Sequence, residues 1–150
     1  MTSHASAYAM TISPPVAKQI MSSMTAICNQ REGMERIQRL ARNSRYFRRR
    51  LQQMGTIVYG HDDSPVVPMM IYFPSKIRAV VNGLYEKGVA VVGVGFPATK
   101  MTEERVRFCI SASHTKEMLD DALVAIEEMA DYLRLRYSRK KRFQDVQIVY

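Results

Sequence analysis

The sequence predicts an α+β domain, and three observations lead to that class. Helical periodicity and strand-like runs follow one another in the order helix, helix, strand, strand, helix, strand, strand, helix. The chain of 150 residues has room for one compact domain and contains no internal repeat. A composition of 47% hydrophobic and 24% charged residues is ordinary for a globular protein and excludes wholesale disorder. We expect a small sheet of three or four strands with helices packed on one face.

Two helices precede every strand. Ser13-Pro14-Pro15 is a helix-entry signal, because a serine hydroxyl can cap free amides and proline is tolerated in the first turn. Apolar residues spaced by three and four extend this helix over residues 16–29, and residues 30–33 interrupt it. A second helix is predicted over residues 34–54, with apolar residues on one side, arginines on the other and Gly55 as its C-terminal cap.

The strands begin after Gly55. Residues 56–59 are short and β-rich, and Asp62 and Asp63 stand in a turn that ends at a proline. Residues 66–73 are apolar at both odd and even positions, which predicts a strand buried on both faces. Pro68 lacks an amide hydrogen, so this strand is expected at an edge or with a bulge.

The second half repeats the alternation of helix and strand. Ser75 is expected to cap a helix that runs to about residue 87 and is closed by Gly88. Residues 89–94 predict another buried strand, and residues 105–111 alternate as a half-buried strand does. Thr115 is expected to cap a long helix that continues to about residue 137.

Charge and cysteine content narrow the functional classes. The net charge of +8 is compatible with nucleic acid, anionic lipid or an acidic substrate, and it selects none of them. Most of the excess lies in residues 45–50 and 134–142, which we interpret as solvated faces. Cys28 and Cys109 are far apart, which excludes a disulfide scaffold or a zinc finger and fits a reducing compartment. No apolar run is long enough for a transmembrane helix, so the chain is expected to be soluble.

Several familiar catalytic signatures fail on inspection. Gly93-Val94-Gly95 begins like a dinucleotide fingerprint, but Pro97 forbids the helix that should follow, so close backbone approach is the better interpretation. His114 has no visible nucleophile or carboxylate partner and is interpreted as a junction residue. Lys100 has no desolvating surroundings that would suit a Schiff base, and adjacent Asp62 and Asp63 are typical turn formers.

Arg107 is the exception, because it lies inside a strand between apolar neighbours. Alternation places Arg105 and Arg107 on one face, opposite Val106 and Phe108. One guanidinium could there hold a carboxylate through two parallel hydrogen bonds. The alternative is a pair of solvent-facing arginines that form ion pairs with Glu103 or Glu104, and spacing alone leaves both interpretations open.

Five blocks of sequence resemble one enzyme family. They are YAMTISPPVAKQIMSSM, RYFRRRLQQMG, DSPVVPMMIYFPSKI, VAVVGVGFPAT and ERVRFCISASHTKEMLDDAL. In this order and spacing they closely resemble the serine palmitoyltransferases, in the lysine-bearing long-chain-base subunit (subunit 2/3 type). These belong to the α-oxoamine synthases, pyridoxal-phosphate (PLP) enzymes of aminotransferase fold type I. The resemblance runs from about residue 4 to residue 138.

The resemblance implies a C-terminal fragment with a defined organisation. Residues 1–54 would be a helical connection out of a large PLP domain that this chain lacks. Residues 55–137 would be the small C-terminal domain, and residues 138–150 a basic tail. The family's Schiff-base lysine, in a Thr-Lys-Ser-Phe-Gly context, is absent from this sequence. The fragment alone is therefore expected to be inactive.

Three positions match family site residues. Arg107, seven residues before His114, matches the arginine that binds the amino-acid carboxylate. The Gly95–Thr99 loop matches a Pro-Ala-Thr-Pro segment at the substrate entrance, which makes Thr99 a candidate substrate contact; Lys100 replaces the last proline. Thr11 falls near a hydroxyl that reaches the cofactor phosphate across a dimer interface. No metal ligand is implied.

The implied reaction is the PLP-dependent condensation of L-serine with palmitoyl-CoA, which gives 3-ketodihydrosphingosine for sphingolipid biosynthesis. The implied enzyme is a heterodimer with a second long-chain-base subunit, held on the cytosolic face of the endoplasmic reticulum membrane by an N-terminal segment that this chain lacks. Nucleic acid is not an expected partner of that enzyme. The alternative function is a non-catalytic paralogue that acts as a partner-binding or nucleic-acid-binding module through its arginines.

Overall fold

The computed structural model describes residues 12–139 and 147–150. The chain divides into two compact units, Met1–Arg36 and Ile37–Tyr150. In the described part of the first unit, helix α1 spans Pro14–Asn29 and buries none of its residues. Helix α2, Arg31–Gln53, begins in the first unit and continues in the second.

The entry into α1 follows the proline signal but not the serine cap. Two prolines occupy the first turn, while the Ser13 side chain accepts no hydrogen bond from the helix. The predicted four-residue break shrinks to Gln30, which has an extended backbone. A side chain at Gly33 would collide with the Ala26 carbonyl, so glycine allows the second helix to start directly after the first.

The sheet has three antiparallel strands in the order β1-β3-β2. Strand β1 is Val66–Met70, β2 is Val92–Val94 and β3 is Arg105–Cys109. Pro68 is on an edge strand, as predicted, because only β3 pairs with β1 along its length. The short run at residues 56–59 forms a single bridge, Val58 with Met69, instead of a strand.

Two helices of the second unit pack beside the sheet. Helix α3 spans Pro74–Glu86, and Gly88 closes it with a positive φ of 79°. Phe73, not Ser75, is the N-cap residue of α3, and Pro74 occupies the first turn. Helix α4 spans Lys116–Tyr132, and the Thr115 side chain accepts the Met118 amide as the predicted cap, at 3.3 Å.

The core lies on one side of the sheet. Val106 and Phe108 of β3 are buried, and the rings of Phe47 on α2 and Phe108 meet edge to face at 5.4 Å between centroids. Helix α3 reaches β2 so closely that a Cβ at Gly93 would stand 2.7 Å from Ile77 Cγ2. The close backbone approach inferred for this glycine is confirmed, and helices cover one face only.

The prediction that β2 is buried is wrong. It is an edge strand, and Val92 is 48% exposed. At the end of the chain, the Tyr150 hydroxyl donates to Asn43 Oδ1 at 2.7 Å and its ring meets Tyr46 edge to face. Within residues 12–139 and 147–150, no helix combines the length and apolar character needed to cross a membrane.

Candidate functional site

Arg107 stands at the middle of the uncovered face of the sheet. Strand pairing places it between Pro68 on β1 and Val92 on β2. Cys109, two residues further along β3, is exposed on the same face. We call Pro68, Val92, Arg107 and Cys109 the open face. It presents one cationic, planar donor group between two short apolar side chains.

The structure gives Arg107 the solvent-facing environment that was one of the two left open, since its side chain is exposed. The ion pairs expected there with Glu103 or Glu104 are not formed: Glu103 lies 3.8 Å from Lys100 Nζ, and Glu104 is buried on the other side of the strand. Among the described residues Arg107 has no ion pair. Its five N–H donors are therefore available to a bidentate carboxylate ligand.

Thr99 lies in the middle of the loop, residues 95–104, that links β2 to β3. The amides of Ala98 and Thr99 both donate to the Gly95 carbonyl, at 3.0 and 3.2 Å, which folds residues 95–99 into a tight turn. The Thr99 hydroxyl is buried and has no hydrogen-bond partner among the described residues. An unused buried hydroxyl is costly, so this oxygen is poised to bond a group that the described chain does not supply.

The structure does not join the predicted site residues into one cluster. No hydrogen bond connects Thr99 with Arg107 within the described residues, although the loop meets the sheet near the start of β3, where Val94 pairs with Arg105. Thr11, the third predicted position, lies outside the described residues.

His114 is a junction residue, as predicted. Its Nδ1 accepts the Ser111 amide at 3.2 Å, which closes the turn after β3. Sequence reasoning missed the side chain on α2 that forms hydrogen bonds with this turn. Asn43 on α2 is fully buried, and its Nδ2 donates to the carbonyls of Ser111 and His114 at 3.1 and 2.8 Å. The available signal was a polar residue on the apolar side of α2.

The remaining candidates have structural roles. Lys100 is exposed beside Glu103, which agrees with its rejection as a Schiff-base lysine. Asp63 pairs with Arg45, and the hydrogen bond from that guanidinium lowers the pKa of the Asp63 carboxyl. The described part of the chain contains no group of three or more side chains able to hold a metal ion.

Tyr72 lies two residues after β1, beside the end of the loop that links β2 to β3. Its φ of +64° is unusual for a residue with a side chain, and its amide donates to the Glu104 carbonyl at 3.1 Å. Burial, followed by the hydrogen bond with the Tyr59 hydroxyl, raises the pKa of Tyr72 to about 12. Tyr72 is therefore a neutral hydroxyl at physiological pH and no candidate for a base.

Comparison with known proteins fits this geometry. The sequence pattern of the aminotransferase class I and II family matches residues 2–126. The chain belongs to this family. Among related aminotransferase-family proteins, it is 50% identical to human serine palmitoyltransferase 3 over 143 residues, which is 93% of this chain and 26% of that protein. It is 48% identical to Caenorhabditis elegans serine palmitoyltransferase 2 over 136 residues, 89% of this chain and 24% of that protein.

The fold agrees with that family. A solved structure of SPT with a PLP internal aldimine superimposes with a TM-score of 0.76 at 21% identity, over 85% of this chain and 32% of that one. The three antiparallel strands and their helices therefore match part of an aminotransferase-like enzyme. This chain spans about a quarter of the length of the two curated relatives.

Proposed function

We propose that this chain is the C-terminal, substrate-binding part of a serine palmitoyltransferase of the subunit 2/3 type. Identities of 50% and 48% to the human and nematode enzymes support the proposal. The observation that carries it is Arg107, an exposed guanidinium on the open face of the sheet that has no ion pair among the described residues. The proposed role of Arg107 is to bind the carboxylate of L-serine through two parallel N–H donors.

That role is one of orientation. A planar guanidinium fixes a carboxylate in one plane, which sets the direction of the serine Cα bonds before one of them breaks. Thr99 would contribute its buried, unused hydroxyl to the bound substrate at the entrance loop. Glu103 and Lys100 neutralise each other at the end of that loop.

The described residues do not by themselves fit PLP. Lys76 donates to the Leu133 carbonyl and the Tyr137 hydroxyl, and Lys87 and Lys116 are in ion pairs. Lys18 and Lys100 are exposed, so no lysine in the described part has the buried setting of a Schiff base. Thr11, proposed for the cofactor phosphate, lies outside these residues. We therefore propose that the large domain of the full-length enzyme holds PLP.

Partners and location extend the same proposal. The second substrate is palmitoyl-CoA, the product is 3-ketodihydrosphingosine, and the active enzyme is a heterodimer with a second long-chain-base subunit. The full-length enzyme would lie on the cytosolic face of the endoplasmic reticulum membrane. Resemblance to the named relatives supports these assignments. They are tested by co-purification with the second subunit and by membrane fractionation of a full-length protein that carries this segment.

The deciding experiment is a chimera. Residues of this chain replace the matching segment of human serine palmitoyltransferase 3, and product formation is measured with the second subunit present. We expect an active chimera in which Arg107→Ala raises the KM for serine by about tenfold to a hundredfold, as loss of a charge-assisted bidentate contact does. Arg107→Lys should raise the KM by a smaller amount than Arg107→Ala does. It should not match the parent, because an ammonium group cannot form two parallel hydrogen bonds to a carboxylate.

Arg49→Ala is the matched control, since Arg49 is an exposed arginine on α2 and should leave the KM unchanged. An Arg107→Ala chimera with the parental KM would overturn the proposal and favour the non-catalytic, partner-binding alternative. The isolated chain mixed with PLP should show neither aldimine absorbance nor condensation. A visible aldimine would contradict the assignment of the cofactor to another part of the enzyme.

A further inference from the structure

Glu104 is the only buried carboxylate in the described part of the chain, with 3% of its surface exposed. It directly precedes β3 and has the same parity as Val106 and Phe108, so it continues the covered face of the strand. Arg107 is on the opposite face. The backbone is firmly fixed at this point, because the Glu104 carbonyl accepts the amides of Ile71 and Tyr72 at 2.9 and 3.1 Å.

One oxygen of the carboxylate is buried without a partner in the described part of the chain. Glu104 Oε2 is fully buried and makes no hydrogen bond to any described residue. The neighbouring cations do not neutralise it, since Lys100 pairs with Glu103 and Arg105 lies on the other face of β3. An ionised carboxylate removed from water without compensation is strongly unfavourable. Glu104 thus resembles a group that is retained for a ligand.

A cleft reaches this carboxylate. It has a volume of about 370 Å³, within the ~300–1,000 Å³ range of small-molecule sites. Its walls are mainly apolar side chains and glycines, with exposed Arg78 and Asn82 towards solvent; the apolar lining residues are Pro74, Ile77, Val81 and Phe96. One buried acceptor in an apolar-walled cleft selects for a donor group on an apolar stem.

Glycine keeps the carboxylate accessible. A Cβ at Gly95 would lie 3.1 Å from Glu104 Oε1 and 3.5 Å from Ile77 Cδ1, so any side chain there would press into the cleft. The same cleft is lined by Gly93, where a Cβ would meet Ile77 and Val81. The two glycines therefore set the width of the cleft between β2 and α3.

We propose that this cleft binds a small amphiphilic primary amine, with its ammonium on Glu104 and its hydrocarbon stem against Ile77, Val81 and Phe96. The carboxylate accepts N–H donors and rejects anions by charge. A metal ion is disfavoured because the described residues offer no cluster of metal-binding side chains. Arg78 is exposed at the mouth, where water screens its charge from the ammonium.

Calorimetric titration of the 150-residue chain with n-hexylammonium tests the proposal. The wild-type chain should bind it about tenfold more tightly than Glu104→Gln does, because a charge-assisted contact becomes a neutral one. Glu103→Gln is the matched control, one residue away and already paired with Lys100, and should bind as the wild type does. Equal affinity in the wild type and Glu104→Gln, or no binding by either, would overturn the proposal.

Two further measurements test whether Glu104→Gln affects folding and whether the hydrocarbon chain of the ligand contributes to affinity. Glu104→Gln should unfold at the same or a higher temperature than the wild type, since it removes an uncompensated buried charge. Affinity should rise about fourfold per methylene from propyl- to hexylammonium, as burial of the stem requires. Affinity independent of chain length, or n-hexanol binding as tightly as the amine, would contradict the site as proposed.

Discussion

Arg48 shows how one side chain can organise a whole connection. It is 1% exposed, and it is the largest fully buried side chain in the described residues. Nη1 donates to the Tyr59 carbonyl at 2.6 Å, and Nη2 reaches the Ser64 and Val66 carbonyls at 3.5 and 3.3 Å. The guanidinium thus ties the residues before β1 to α2, and Asp62, at 3.9 Å from Nε, balances its charge.

Replacing Arg48 by methionine should lower the free energy of unfolding by about 2–3 kcal/mol, since buried carbonyls would lose their donors. Urea denaturation measures the change. Arg49→Met is the matched control, because Arg49 is the adjacent exposed arginine and should shift stability by no more than about 0.5 kcal/mol. Equal losses in the two variants would show that Arg48 contributes only its aliphatic stem.

The sequence contained the signal for this burial. Arg48 has helical spacing to Ser44 and Leu51, both fully buried, so the period of α2 turns it inwards. Its position within a run of arginines led to the prediction of a solvated face, which is wrong for this residue. The run of arginines and the helical period are separate patterns in the sequence. For Arg48 the helical period, and not the run of arginines, predicts the observed burial.

At the scale of elements, the C-terminal glycine of α3 and the N-cap of α4 were predictable, while the N-caps of α1 and α3 and the strand neighbours were not. The end of α3 at Gly88 and the cap of α4 at Thr115 depend on local backbone geometry, which a few adjacent residues determine. Burial of β2 depends on which strands flank it, and it pairs with β3 alone. Apolar content therefore predicted a buried strand where an exposed edge is found.

Thr115→Ala should cost about 1 kcal/mol of stability, because the Met118 amide would lose its acceptor at the start of α4. Thermal or denaturant unfolding followed by circular dichroism measures this loss. Thr115→Asp should keep most of the stability, since aspartate is also a good N-cap residue. Thr102→Ala, in an exposed loop, is the control. Full stability of Thr115→Ala would mean that the cap contributes nothing.

For the whole molecule, the fold class and the candidate site were predictable to different extents. Helix and strand periodicity, with Pro68 at an edge, were sufficient for the α+β architecture. Strand alternation and resemblance located Arg107, but spacing left its environment open between a bound carboxylate and a solvent-facing ion pair. The open face is exposed or half-buried in the described chain, so few internal neighbours indicate the environment of Arg107.

The first unit should make the chain associate in solution. Helix α1 exposes a set of apolar side chains, each 44–60% accessible: Val16, Ile20, Met24 and Ile27. Exposed apolar surface of this kind favours self-association. We expect sedimentation velocity to show dimers or larger species, and Ile20→Glu combined with Met24→Glu should shift the chain towards monomer. Lys18→Glu on the same helix should not, and a purely monomeric wild-type chain would contradict the prediction.

Such association would not proceed by adding strands. On the outer side of β1, Pro68 has no amide hydrogen, its carbonyl accepts the Tyr59 amide, and the Met70 amide donates to the Ile57 carbonyl. The opposite edge offers only Val92–Val94 before the loop that contains Pro97. A growing fibril needs a long, unsatisfied backbone edge as its template. Both margins of this sheet lack one, so clustering of the chain through its helices should leave thioflavin fluorescence unchanged.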